Sequence, residues 1–206
     1  APSVVRTLSD SGVPSLAFGS CRTSVPQDAK GHLTHGVDAL RTLAMAMADG
    51  GFPQGAWPDC LLLLGDQVYA DTINDEMREF IADRRGLDEP PGEELKDFDE
   101  YAELYRIAWS DPWIRWVLSC LPSLMIFDDH DIRDDWNTSA AWRAEVNKKP
   151  WWRDRIRAGL GSYWVYQHLG NLSPDELAQD DDYQKILVTE GDCWPHLVDL
   201  ADRADY

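Results

Sequence analysis

The sequence predicts an α/β fold in which parallel strands are covered by helices. Three short apolar runs, at residues 15–20, 61–64 and 124–127, each break off at a Gly or an acid. Helix-period segments lie between them. The middle run, LLLL, is apolar without alternation, as in a strand of a parallel sheet buried on both faces.

SLAFGS (15–20) is the first strand, and a polar loop through Gly31 follows it. In THGVDALRTLAMAMADGG, Val37, Leu40, Leu43, Ala44 and Met47 recur at three- and four-residue intervals, and Gly50 and Gly51 supply a stop, which predicts one helix. DCLLLLGD is the second strand, giving the order β-α-β. Residues 83–100 are charged and carry Gly86, Pro90, Pro91 and Gly92, so they are expected to be exposed and not part of a core. FDEYAELYRIAWS puts Phe98, Tyr101, Leu104, Tyr105 and Ala108 on one helical face. SDPWIRWVLSC restarts a helix with Ser110 or Asp111 as cap and Pro112 in the first turn. PSLMIFDDHD gives the third strand, Leu124 to Phe127. Beyond it come Trp-rich helical segments at 139–147 and 151–169, a turn at 171–174, an acidic run at 180–182 and a last helical pattern near 194–204.

Composition narrows the function classes. The 206 residues suffice for a real core and most simply make one domain. Nineteen Lys and Arg against 37 Asp and Glu leave a net charge of −18, which disfavours duplex nucleic acid and anionic membranes as partners. No stretch approaches the roughly 18 apolar residues of a membrane span. APSVVRTLSD carries neither the charged nor the apolar region of a signal peptide, so cytoplasmic and secreted locations both stay open. Cys21, Cys60, Cys120 and Cys193 are scattered without a CxxC, which suggests neither a zinc ribbon nor a disulfide framework.

The strand ends carry the chemistry. In α/β sheets, ligands bind outside the carboxyl ends of the strands. Neighbouring strands would therefore gather Cys21, Asp66, Tyr69, Asp128, Asp129 and His130 into one cluster. Such a cluster cannot ionise side by side without strong repulsion unless a cation neutralises it. Thiolate, carboxylate, phenolate and imidazole all ligate metals; sulfur points to a transition metal in one half of the site, and oxygen alone to a harder divalent ion in the other. Each residue has a plainer reading. Cys21 is also what a small buried residue looks like, Asp66 a helix cap, Tyr69 a core aromatic, and Asp128 a structural hydrogen-bond acceptor. His32, His35, His168 and His196 lack partners at ligand spacing, and the ten tryptophans read as packing residues.

FGSCR, GDQVYAD and IFDDHD, in this order and at these strand ends, resemble the signature blocks of the alkaline phosphatase D (PhoD-like) branch of the calcineurin-like metallophosphoesterases, from about residue 15 to residue 137. The resemblance implies a layered sandwich with parallel strands and covering helices, and a dinuclear metal centre at its edge. It implies Cys21, Asp66 and Tyr69 as ligands of Fe(III), with Asp66 bridging to a second ion, Ca(II) or another divalent cation. Asp129 stands where the wider superfamily has the Asn of its GNH block, as a ligand of that second ion, and His130 meets the phosphate. Asp131 stands where Glu is usual. The implied function is hydrolysis of phosphate mono- or diesters, with a small phosphate ester as substrate, by metal-activated hydroxide attacking in line. His130 would donate to the leaving or a non-bridging oxygen. Arg22 could clamp a phosphate oxygen; Arg133 is an alternative clamp, or the ion-pair partner of Asp134 or Asp135.

The chain is thus expected to be one metallophosphatase-type catalytic domain, residues 1–206, forming the N-terminal portion of a longer phosphatase. Residues 83–122 read as an insertion. The family's further Gly-Asp-x-His block finds no counterpart after residue 137: EGDCWPH at 190–196 has Gly191 and Asp192, but a Cys follows and no strand precedes. The terminal LADRADY is expected to end within a helix, with no capping Gly. The alternative is a non-catalytic metal- or phosphate-binding domain that acts through a partner. Ester preference, ion identity and oligomeric state are not specified by the sequence.

Overall fold

In the computed structural model, which describes residues 4, 12, 14–52 and 56–205, the three apolar runs form one sheet. Its strands are β1 (Leu16–Gly19), β2 (Cys60–Leu64) and β3 (Ser123–Ile126). They run parallel in the order β1-β2-β3, with Leu16 opposite Cys60 and Leu61 opposite Ser123. The register brings their carboxyl ends to one edge, so the segments after Gly19, Leu64 and Ile126 leave the sheet together. The α/β class expected from the sequence is the class observed.

Two helices, α1 (Ala29–His35) and α2 (Ala39–Ala48), connect β1 to β2 where the periodicity predicted one. The break is local chemistry. Gly36 takes φ +78 after α1, and the Asp38 side chain accepts the Arg41 N–H to start α2. Val37 falls in the break and is exposed instead of joining the apolar face.

Between β2 and β3 lie α3 (Asp75–Arg84), α4 (Phe98–Trp109) and α5 (Pro112–Cys120). Asn74, Asp97 and Asp111 cap them through their side chains. The expectation that residues 83–100 stay outside the core is not met: Leu95 and Glu100 are fully buried. The Arg85 guanidinium donates to Glu100 at 2.7 Å, and the Lys96 N–H donates to it at 2.7 Å. A charged stretch signals solvent only where no opposite charge waits inside.

After β3 come α6 (Ala140–Val146), α7 (Trp152–Tyr166), α8 (Pro174–Gln179), α9 (Asp181–Val188) and α10 (Trp194–Ala204). The α7 helix crosses α4 closely because position 159 has no side chain. A Cβ there would come within 2.3 Å of Ile132 Cδ1 and 3.0 Å of Tyr101 Oη.

One face of the sheet packs on helices: Leu61 and Leu63 meet Ala44 and Met47 of α2 and Val117 of α5. The apolar run of β2 predicts cover on the other face too. Among the described residues that face is open, with Leu16, Phe18, Leu64, Leu124 and Ile126 exposed. The outer edge of β3 is closed by a side chain. Asn171 accepts the Met125 N–H at 2.8 Å and donates to the Met125 carbonyl at 2.6 Å, standing in for a strand. No helix among the described residues is long and apolar enough to cross a membrane.

Candidate metal centre

Backbone hydrogen bonds stitch the three strand ends together. The Cys21 N–H donates to the Gly65 carbonyl at 3.1 Å and the Arg22 N–H to the Asp66 carbonyl at 3.2 Å, joining the β1 and β2 tips. The Ala70 N–H donates to the His130 carbonyl at 2.9 Å, joining the β2 loop to the segment after β3. That segment is a single 3-10 turn, Asp129–Asp131, capped by Asp128, whose side chain accepts the Asp129 N–H.

Asp131 fixes the junction from below. One of its carboxylate oxygens accepts the Val68 N–H at 3.0 Å, and the other accepts the Asp128 N–H at 3.0 Å. Gln167 of the segment after α7 reaches the same carboxylate at 3.4 Å and donates to Tyr105 Oη at 2.8 Å. Burial pushes the Asp131 carboxyl up to about 7 against the pull of these backbone donors. Arg155 of α7 is fully buried and donates to the Ala70 and Ile132 carbonyls while pairing with Glu94 at 2.6 Å. One guanidinium thereby holds both loops that carry the site.

Above this support five of the six expected residues meet. Asp66, Asp129 and His130 each offer a ligand atom, all within 4.8 Å of one another. The Tyr69 ring lies over the His130 ring with centroids 4.6 Å apart. The Cys21 thiol donates to Ser20 Oγ at 3.4 Å and lies close enough to Asp66 for each to shift the other's pKa. Two of these residues hold left-handed backbone that a non-glycine residue seldom adopts, Cys21 at φ +56 and Asp66 at φ +48. The reading of Asp66 as a helix cap is excluded, since the next helix, α3, starts at Asp75 and is capped by Asn74.

The electrostatics have one sign. Burial, with the charges of Asp128 and Asp129, raises Asp66 above the usual carboxylate range despite the Cys21 thiol and His130. Burial pushes the Tyr69 phenol up to about 12, with Thr23 opposing. At Cys21 the Ser20 hydroxyl favours the thiolate, but Asp66, burial and the charge of Asp128 together raise the pKa. Cys21, Asp66 and Tyr69 thus resist ionising, the response of ligands that lack a counter-charge. Asp66 is only 4 % exposed, and its Oδ1 accepts no hydrogen bond among the described residues. A buried carboxylate oxygen without a donor is costly, and a cation satisfies it directly. The converging donors, the carboxylates of Asp66 and Asp129 and the imidazole of His130, therefore fit a metal ion through N and O atoms.

Asp71 was not singled out by sequence. Its carboxylate lies 3.0 Å from His130 Nδ1 and accepts the Asp134 N–H at 2.6 Å. Burial disfavours the imidazolium, but Asp71, Asp66 and Asp129 outweigh it and raise the His130 pKa. The acid at the end of GDQVYAD was the available signal.

Arg22 is not brought into the cluster. Its Nε donates to Asp38 at 2.9 Å, and one terminal nitrogen donates to the Ala108 carbonyl at 2.8 Å and Ser24 Oγ at 3.2 Å. Arg133 pairs with Glu94 at 3.5 Å and not with Asp134 or Asp135. Neither guanidinium is aimed as a phosphate clamp would be. In the 190–196 segment, Asp192 caps α10 through the Trp194 N–H, and His196 meets Thr189 Oγ1 at 3.1 Å.

A family model described as PhoD-like phosphatase matches residues 45–185, more than half of the chain. Asp66, Tyr69, Asp129 and His130 fall inside the match; Cys21 and Arg22 precede it. A solved structure described as "Structure of PhoD" superposes with a TM-score of 0.47 at 15% identity, over 80% of this chain and 27% of that one. The chain thus spans about a quarter of that protein's length. No curated protein matches.

Proposed function

The chain belongs to the PhoD-like phosphatase family, and from that premise we propose that it hydrolyses phosphate mono- or diesters, as residues 1–206 of a metallophosphatase-type domain that a longer protein completes. The observation that carries the reading is Asp66 Oδ1, buried without a hydrogen-bond donor beside Asp129 and His130 at the joined strand ends.

Cys21, Asp66 and Tyr69 are the proposed ligands of one ion, Fe(III), and Asp66 with Asp129 of the second, Ca(II) or another divalent cation. Such ions, when bound, lower the pKa of water and offset charge on the phosphoryl group. The chain's own residues do the rest. Asp66, held by the Cys21 and Arg22 backbone bonds, presents its free oxygen at the point where the three tips meet. Asp71 accepts a hydrogen bond from the Nδ1–H of His130, which leaves Nε2 to hold or deliver a proton at the leaving or a non-bridging phosphoryl oxygen. Arg22 has no part in this proposal, because its guanidinium is engaged with Asp38 and Ala108.

Hydrolysis of an aryl phosphate monoester and diester, with metal content quantified on the same sample, tests the proposal. Metal-dependent turnover supports it. Stoichiometric metal with no turnover supports either a metal- or phosphate-binding module or a portion that turns over only within the longer protein, and the same assay on the longer protein separates the two.

A further inference from the structure

A cavity of about 350 Å³ opens beside Cys21 and runs beneath the β1 end of the sheet. Cys21 and Gln67 form its site-facing wall, and Gln67 is the neighbour of Asp66. Its apolar lining includes Leu40 and Leu43 of α2, the buried Leu61 and Leu63 of β2, Val25 and the exposed Val37. The Arg22–Asp38 ion pair forms part of the wall, fixed at 2.9 Å. The volume lies within the roughly 300–1,000 Å³ of small-molecule pockets, which are likewise apolar with a few polar groups at one end.

We propose that this cavity is a subsite for the alcohol portion of the phosphate ester, taking an uncharged aromatic ring or short hydrocarbon chain while the phosphoryl group sits at Asp66 and His130. The proposal rests on the phosphoester reading above. Three features fix the chemistry of the occupant. Cys21 and Gln67 line the cavity and flank the strand-end cluster, so a group seated in it adjoins the place proposed for the phosphoryl group. Among the described lining residues the one arginine, Arg22, is already paired with Asp38, so a second phosphate or a carboxylate would find at most the His35 imidazole. The chain's net charge of −18 further disfavours a polyanionic substrate such as a nucleic acid strand. Burial of one aromatic ring against these leucines favours ring-bearing esters over methyl esters by about tenfold or more.

The test uses the full chain with leucine and valine methyls isotopically labelled, titrated with 1-naphthol, and then hydrolysis of 1-naphthyl phosphate and methyl phosphate with metal present. Saturable shifts of the Leu40, Leu43 and Val37 methyls are expected, with 1-naphthol competing against 1-naphthyl phosphate. Val37→Trp, at an exposed position where the fold is not at stake, should lower the ratio of kcat/KM for naphthyl over methyl phosphate about tenfold. Leu40→Trp is the second variant and should do the same. Absence of the methyl shifts, or a ratio unmoved by both variants, overturns the subsite. Shifts without hydrolysis of either ester overturn the phosphoester reading instead, and leave the cavity as an apolar ligand site of another kind.

Discussion

Asp71 Oδ1 lies 3.0 Å from His130 Nδ1, across 59 residues of sequence. The same carboxylate anchors the Asp134 N–H, so its orientation is set by two loops at once. A carboxylate at Nδ1 favours the Nδ1–H form of the neutral imidazole, and Nε2 lies 3.8 Å from Asp134 Oδ1.

Asp71→Asn should therefore lower phosphatase turnover by about 10- to 100-fold. In the metal-free protein the His130 titration should move to lower pH, because the carboxylate that raises it is gone. An NMR titration of the imidazole with a parallel rate measurement checks both. An unmoved titration would remove Asp71 from the site.

Arg155→Met should destabilise the fold by about 3 kcal/mol, as it strands the Ile132 carbonyl and takes the closer of two arginine partners from Glu94 and one of two donors from the Ala70 carbonyl. Denaturant unfolding measures the loss. The site should fail with it, since those carbonyls belong to the loops that carry Tyr69 and His130.

Gly65→Ala should cost about 1–3 kcal/mol and loosen any bound metal. Gly65 has φ +109, and an added Cβ would lie 2.6 Å from Asp128 Cβ, so the β2 and β3 tips must part. Gly170→Ala, where a Cβ meets nothing within 4 Å, is the control and should stay within about 0.5 kcal/mol.

Burial pushes the Tyr101 phenol up to about 12, against the opposing pull of Arg155. The unfolded chain loses this proton near pH 10 and the folded chain keeps it to about 12, so stability falls as pH rises through that window. The slope from this one group is about 1.4 kcal/mol per pH unit. Tyr101→Phe should remove that share of the alkaline decline and cost little at neutral pH, because the hydroxyl it deletes is buried without a hydrogen-bond partner. Urea unfolding at a series of pH values reads the difference.

The strands and their chemical tips were legible because an apolar run that stops on an acid is a local signal: FGSCR, LLLLGDQVY and IFDDHD carry both halves within a few residues. What closes the site was not legible. Asp71 and Arg155 act on partners 59 and 85 residues away; the place of Asp71 at the end of GDQVYAD hinted at its role, and nothing beside Arg155 announces it. The α1 helix, AKGHLTH, lacks apolar periodicity and is defined by the Asp28 cap and by Gly36. The LLLL run correctly marked a strand that expects apolar cover, but only the α2 and α5 side supplies it among the described residues. Arg22 sits beside Cys21 in sequence, yet its side chain turns to Asp38, because adjacency along a chain does not fix side-chain direction.

The central claim is that three strand ends share one pair of cations. Metal content per chain, measured by mass spectrometry after equilibration with ferric iron and calcium and removal of excess, tests it most directly. The account predicts bound iron and calcium in the unaltered chain, loss of both in Asp66→Asn, loss of iron in Cys21→Ala and Tyr69→Phe, and full retention in Asp192→Asn. Equal metal in all five proteins would contradict it.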